Sequence, residues 1–193
     1  MVDEDLQQTL LHYAVRKQRA GLVTAVFQAA TDPQALLRRQ DTHSHTALHL
    51  AAESGNVGIY NLLLPCVTVD TLKAPTDRGW TALHLCAAKG HSGFVSALLN
   101  HPDSRTLLEV EEEDGNTALA TAVQWGNCLD TVKALLEAGA NPQVKYNQKR
   151  LLEVAGQKSG QFRQSLVGLI VSFLNPDWPI IAQNWRAENP SVQ

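Results

Sequence analysis

The sequence predicts an all-α solenoid of stacked helix-turn-helix units. Three observations support this fold class. A similar stretch returns about every 35 residues, each copy holds two short apolar segments, and a glycine separates those segments in most copies. Because a short helix pair cannot bury its apolar stripe alone, neighbouring pairs must stack and share one core.

A threonine begins each of the four clear copies. They start at Thr9 (TLLHYAV), Thr46 (TALHLAAESGN), Thr81 (TALHLCAAKGH) and Thr117 (TALATAVQWGN), at intervals of 37, 35 and 36 residues. A degenerate fifth copy, RLLEVAGQKSG, follows from Arg150. We therefore expect units starting near residues 5, 42, 77, 113 and 146, within one domain of residues 1–175.

The third copy shows what each position contributes. The Thr81 hydroxyl can accept a hydrogen bond from an unpaired backbone N–H and so begin the first helix. Gly90 can adopt the left-handed conformation that ends this helix. A second helix then presents an apolar stripe formed by Phe94, Val95, Leu98 and Leu99.

These copies resemble ankyrin repeats. That family has the signature T-P-L-H-x-A, and the chain is similar to it from Thr46 and from Thr81. The segment LLEAGANP, residues 135–142, resembles the usual ending of a unit. The resemblance implies two antiparallel helices in each unit and β-hairpin-like fingers along one edge. The chain departs from the signature where Ala120 replaces the histidine and where Gln18 replaces the glycine.

Long connectors precede three of the fingers. The segments DPQALLRRQD, VTVDTLKAPTD and DSRTLLEVEEED each carry a leucine about five or six residues before an aspartate. We expect these connectors to lead into the fingers and to be anchored by Leu36, Leu37, Leu72, Leu107 and Leu108.

Composition restricts the classes of partner and the compartment. A net charge of −3 argues against general binding to nucleic acid or to an anionic membrane. No apolar run is long enough to span a membrane, and the acidic start MVDEDLQQ does not resemble a signal peptide. Three cysteines without paired spacing predict neither disulfides nor a zinc site, so the cytosol or the nucleus fits best.

Both ends of the stack need a cap, because a terminal repeat exposes a face that inner repeats bury. The apolar segment 162–174 is expected to form the last outer helix. Residues 176–193 are expected to fold back over it as a capping tail, with Trp178, Ile180, Ile181 and Trp185 covering apolar surface. A partner-binding motif is the alternative interpretation of this tail.

Histidines and cysteines are expected to be structural. His12, His49 and His84 occupy the same position in successive units, so their side chains would line up along the stack and not converge. A zinc site at His43 and His45 is the less favoured alternative. Cys86 and Cys128 are expected to be small core residues. We expect no catalytic residues, no metal and no cofactor, since no nucleotide-binding or hydrolase motif is present.

Two tryptophans are the strongest candidates for a binding surface. In ankyrin-like units, the residue before the threonine lies at the finger tip, and the two residues before the glycine face the groove. Trp80 and Trp125 occupy such positions in adjacent units, so we expect exposed anchors on one surface, with a buried core role as the alternative. The other candidates are Lys89, Arg78, Gln124, Asn116, His45, Glu53 and the acidic finger Glu111, Glu112, Glu113 and Asp114.

The resemblance implies a non-enzymatic protein–protein interaction module, acting as an adaptor, scaffold or inhibitor. We expect a monomer that binds a protein segment with a basic stretch beside an apolar one, because the finger between units three and four is acidic. The alternatives are an NF-κB-inhibitor-like regulator, a targeting domain of a larger enzyme or channel, and a host-directed effector. Direct catalysis or small-molecule binding is the least favoured interpretation.

Overall fold

The computed structural model describes residues 2–3, 8–147 and 149–174. It confirms the predicted all-α repeat solenoid, with five helix pairs stacked in chain order. The predicted tail, including Trp178, Ile180, Ile181 and Trp185, lies outside the described residues.

The units are built as follows. The first contains α1 (Leu10–Arg16) and α2 (Ala20–Ala29), followed by α3 (Pro33–Arg38). The second contains α4 (Ala47–Ser54) and α5 (Val57–Leu63), followed by a 3₁₀ turn (Leu64–Cys66) and α6 (Val69–Lys73). The third contains α7 (Ala82–Lys89) and α8 (Ser92–Leu99), followed by a 3₁₀ turn (Ser104–Leu107).

The last two units carry shorter connections. In the fourth, α9 (Ala118–Thr121) continues into a π-helical turn (Ala122–Gly126) and is followed by α10 (Leu129–Glu137). The fifth contains α11 (Leu151–Gly156) and α12 (Gly160–Leu174). Short antiparallel strand pairs precede the first and fifth units: β1 (Val2–Asp3) with β2 (Gln8–Thr9), and β3 (Lys145–Tyr146) with β4 (Lys149–Arg150).

The predicted signals at the helix ends are confirmed except at Thr81. Its hydroxyl lies 2.9 Å from Nδ1 of His84 and makes no capping hydrogen bond to the backbone of α7. The hydroxyls of Thr9 and Thr46 accept hydrogen bonds from backbone N–H groups in the first turn of the helices that follow. Gly55 and Gly90 adopt left-handed conformations at the ends of α4 and α7, with φ values of 66° and 73°. Where the sequence departs from glycine in the first unit, Gln18 adopts the same conformation, with φ of 53°.

The three long connectors contain an additional helical element that the repeat pattern does not predict. Helix α3, helix α6 and the 3₁₀ turn 104–107 contact one another in succession and form a third row beside the helix pairs. The expected leucine anchors hold this row: Leu37, Leu72 and Leu107 are fully buried, Leu108 is nearly so, and Leu36 packs against the core.

One continuous apolar core runs through all five units. Its largest buried side chains are Tyr60 and Phe94, whose rings lie 5.2 Å apart between α5 and α8. Cys86 is fully buried, as expected, and burial raises the pKa of its thiol. Cys128, also expected in the core, is instead only half-buried, because it precedes the first turn of α10.

Candidate functional site

A buried histidine joins each of the first three units to the next finger. Nε2 of His12 lies 3.0 Å from the backbone oxygen of His45. Nε2 of His49 lies 3.2 Å from that of Trp80, and Nε2 of His84 lies 3.1 Å from that of Asn116. These contacts, the histidine bridges, confirm that the three histidines line up along the stack.

The surroundings of each bridge select the neutral imidazole. In unit two, the backbone N–H of Thr46 donates to Nδ1 of His49 at 3.0 Å, so the ring proton must lie on Nε2, which donates to the finger. Burial lowers the pKa of His49 to about 4, and it also lowers the pKa of His12 and of His84.

The fourth unit replaces the histidine bridge with an amide. Ala120 cannot reach the next finger, and instead the Asn116 side-chain oxygen accepts a hydrogen bond from the backbone N–H of Asn147 at 2.9 Å. The side-chain nitrogen of Asn116 also donates to the Asn147 side chain at 3.4 Å. Asn116 is therefore a structural residue, with only 3% of its surface exposed.

The fingers of units two, three and four each begin with a side chain that accepts hydrogen bonds from its own turn. An Asp41 oxygen accepts from the backbone N–H groups of His43 and His45, both at 2.9 Å. The Thr76 hydroxyl accepts from the N–H of Trp80 at 3.1 Å. Glu112 has the same role in the acidic finger, where Oε1 accepts from the backbone N–H of Asn116 at 3.3 Å.

This role corrects two sequence predictions. Glu112, a candidate binding residue of the acidic finger, is only 8% exposed because its carboxylate turns back to close the finger. Asn116, expected at the surface of a finger tip, is buried because its amide links two fingers. The neighbouring carboxylates of Glu111, Glu113 and Asp114 are exposed as expected.

The fingers and inner helices enclose two adjoining pockets. The acidic pocket, of about 500 Å³, is lined by Arg78, Trp80, Glu112, Glu113, Asp114, Asn116, Thr121, Trp125 and Tyr146. The neighbouring pocket, of about 520 Å³, is lined by His43, His45, Glu53, Thr76, Asp77, Arg78, Trp80, Leu85, Ala88, Lys89 and Trp125. Arg78, Trp80 and Trp125 line both, so the two pockets form one groove across units two to four.

The structure places both predicted tryptophans in this groove, with different exposure. The indole of Trp125 is 56% exposed, and its Nε1–H donates to the Tyr146 hydroxyl at 3.1 Å. Trp80 is half-buried, and its ring centre lies 6.3 Å from that of His84. Both tryptophans therefore line one groove, but only Trp125 is exposed as expected, because the ring of Trp80 is partly covered beside His84. The binding role of both residues stays a prediction.

The π-helical turn sets the position of Trp125. In units two and three the glycine adopts the left-handed conformation, but in unit four Gly126 stays within the turn and Asn127 takes a φ of 41°. Gly126 packs so closely on unit three that a Cβ atom there would lie 2.6 Å from the Ala87 oxygen. Such turns occur often at functional sites.

Of the remaining predicted residues, Lys89, Glu53 and His45 line the groove, whereas Gln124 lines neither of its pockets. Lys89 and Glu53, both about half exposed, approach within 3.9 Å across two units. His45 and Gln124 are half-buried. The backbone oxygen of Gln124 accepts a hydrogen bond from the Lys158 ammonium, whose pKa is lowered by desolvation.

Sequence reasoning missed Tyr146, Leu85 and Thr121 as groove residues. Leu85 and Thr121 stand four residues after the threonine in their units, so the repeat register could have found them. Tyr146 belongs to the degenerate fifth finger, whose register is not clear from the sequence.

Within residues 8–147 and 149–174, no cluster of three or more His, Cys, Asp or Glu side chains is arranged to hold a metal ion. No described helix combines the length and the apolarity that crossing a membrane requires.

Comparison with known families agrees with this architecture. The family described as ankyrin repeats in three copies matches residues 67–146, and the single ankyrin repeat matches residues 43–71. Together the two matches span residues 43–146, more than half of the chain. No curated protein sequence matches the chain. Ankyrin repeats are generally protein–protein interaction modules. By this match and by its stacked helix pairs, the chain belongs to the ankyrin repeat family.

Proposed function

We propose that this protein is a non-enzymatic interaction module that binds a segment of another protein in the groove across units two to four. The observation that carries the proposal is that Trp80 and Trp125 line both pockets of that groove. At protein interfaces, tryptophan is one of the residues that most often contribute a large share of the free energy of binding.

The rigidity of the groove supports the same function. Histidine bridges hold the backbone of His45, Trp80 and Asn116. Neighbouring fingers are also joined by a backbone hydrogen bond, which the N–H of Glu113 donates to the oxygen of Arg78 at 3.3 Å. A surface that is already ordered loses little conformational entropy on binding, so a few anchors suffice for affinity.

A comparative capture experiment tests the proposal. Wild-type protein, Trp125→Ala and Leu64→Ala are immobilised and exposed to the same cell extract, and the retained proteins are quantified by mass spectrometry. Leu64 is the matched control, because it is an exposed apolar residue (39%) in the turn after an outer helix, outside the groove.

We expect wild type and Leu64→Ala to retain a common partner and Trp125→Ala to lose it. With the purified partner, Trp125→Ala should raise Kd by about 30-fold or more, as the loss of a hot-spot residue does. Retention of the same proteins by all three forms, at equal affinity, would show that the groove is not the binding site.

A further inference from the structure

Glu112 is a buried carboxylate that lines the acidic pocket, and among the described residues no cation pairs with it. Its side chain is part of the pocket wall together with Trp80 and Trp125. Within residues 8–147 and 149–174, no Lys, Arg or His nitrogen lies within 4.0 Å of its oxygens. A buried carboxylate is normally paired with a cation, because desolvation of an unpaired charge is costly. The hydrogen bonds from Asn116 satisfy part of its acceptor capacity but do not neutralise its charge.

The equivalent carboxylate in the second unit has such a cation. Asp41 stands five residues before Thr46, as Glu112 stands five residues before Thr117. Asp41 is also buried, and Nη2 of Arg16 lies 3.6 Å from its Oδ2 atom. Arg16 belongs to the last turn of α1, so the preceding unit supplies the positive charge.

In units three and four, the finger carboxylate and a cation from the preceding unit do not occur together. In the third unit the finger begins with Thr76, which carries no charge, and Glu53 stands at the position that Arg16 has in the first unit. In the fourth unit the carboxylate returns as Glu112, but the corresponding residue of the preceding unit is Ala88. A methyl group cannot pair with Glu112.

We propose that the acidic pocket binds a cationic side chain, lysine or arginine, of the protein segment that occupies the groove. This inference rests on the proposed function and names the chemistry of the partner. The incoming cation takes the place at Glu112 that Arg16 has at Asp41.

The rest of the pocket suits the same occupant. Glu113 and Asp114 are exposed and line the pocket together with Glu112, so its charge is negative even though Arg78 also lines it. The aromatic rings of Trp80, Trp125 and Tyr146 attract a cation through their electron-rich faces. Arginine forms forked hydrogen bonds to a carboxylate and stacks on an indole, and lysine supplies a compact charge.

Small capped amino acids test the proposal without the natural partner. Nα-acetyl-arginine amide, Nα-acetyl-lysine amide and the neutral Nα-acetyl-citrulline amide are titrated into the ¹⁵N-labelled protein, and the indole N–H signals of Trp80 and Trp125 are followed by NMR. We expect saturable shifts with both cations and binding about tenfold or more weaker with citrulline. Equal binding of citrulline would overturn the proposal.

Variants at three positions sharpen the result. Glu112→Gln keeps a hydrogen-bond acceptor for Asn116 but removes the charge, so it should weaken the cationic probes about tenfold. Ala88→Arg rebuilds the pair seen between Arg16 and Asp41, so it should raise Tm and exclude the probes, whereas the neutral control Ala88→Gln should do neither. Unchanged probe affinity in Ala88→Arg would contradict the proposal. The proposal would also be wrong if the probes bound to Arg78→Gln and not to the wild type. In that case the Arg78 guanidinium of the protein itself would occupy the pocket.

The outcomes separate this inference from the proposed function. If Trp125→Ala loses the captured partner while the probes show no preference for charge, the groove binds protein and the cation assignment is wrong. If the probes show the preference but Trp125→Ala keeps the partner, the pocket recognises cations and the groove is not the protein-binding site.

Discussion

Nε2 of His49 lies 3.2 Å from the backbone oxygen of Trp80, so a buried side chain of unit two fixes the backbone of a groove residue in unit three. The ring that makes this contact is fully enclosed, and its neutral form is held by Thr46. The stability of the stack and the position of Trp80 therefore depend on the same hydrogen bond.

The histidine bridges predict a loss of stability in acid. The unfolded chain binds protons on His49 near pH 6.5, whereas the folded chain does so only near pH 4, because burial lowers the pKa there. Between these values the unfolded state holds more protons, so the free energy of unfolding should fall as pH falls, by about 1.4 kcal/mol per pH unit for this residue. The contribution is complete above pH 6.5. Urea unfolding at a series of pH values measures it.

Two variants identify the source of that pH dependence. His49→Gln should be less stable at pH 7.5 and should lose less further stability between pH 6.5 and pH 4. His43→Gln removes an exposed histidine and should leave the wild-type slope unchanged. If the three stability profiles run parallel, the bridge at His49 does not titrate as proposed.

The Tyr60 hydroxyl predicts a stabilising substitution. It is buried with no hydrogen-bond partner among the described residues, and burial raises its pKa to about 12. Tyr60→Phe removes this hydroxyl but keeps the ring that packs on Phe94. We expect the free energy of unfolding to rise by about 1 kcal/mol, since an unsatisfied buried group carries a desolvation cost. Chemical denaturation measures the change.

Tyr60→Ala serves as the contrast for this prediction. It removes the ring as well and should destabilise the protein by about 3–5 kcal/mol, as large-to-small core substitutions do. A Tyr60→Phe variant that is less stable than wild type would show that the hydroxyl has a favourable partner in solution.

Gly126 packs so closely on unit three that a larger residue at this position should destabilise the protein. A Cβ atom at this position would lie 2.6 Å from the Ala87 oxygen, which belongs to helical backbone and cannot move aside cheaply. Gly126→Ala should therefore lower the free energy of unfolding by about 2 kcal/mol or more. Gly168→Ala is the control, because a Cβ atom added there would meet no atom within 4 Å and alanine favours the helix α12. It should be neutral or stabilising. Equal effects of the two substitutions in thermal unfolding would contradict the argument.

The repeated features of the fold could be predicted from the sequence because each one is local. Threonine begins an inner helix, glycine ends it, and the spacing of the copies requires stacking. The third row of short helices was not predictable in this way, since Leu37, Leu72 and Leu107 are buried only when three consecutive units pack together.

The acidic finger shows a second limit of sequence reasoning. Glu111, Glu112, Glu113 and Asp114 are chemically similar neighbours, and a composition argument treats them alike. Only the register shared with Asp41 and Thr76 identifies Glu112 as the residue that closes the finger and is buried. The π-helical turn that ends at Gly126 packs against the preceding unit, and the sequence carries no local signal for it.

Replacement of either groove tryptophan by alanine should weaken partner binding, but the two substitutions should differ in their effect on stability. Trp125 is mostly exposed, so Trp125→Ala should change the free energy of unfolding by less than about 0.5 kcal/mol. Trp80 is half-buried beside His84, so Trp80→Ala should cost about 1 kcal/mol or more. Both should weaken partner binding strongly, because each ring lines both pockets. Denaturation and calorimetry on the same samples separate the two quantities. If Trp80→Ala weakens folding but not binding, its ring belongs to the core and Trp125 is the anchor of the groove.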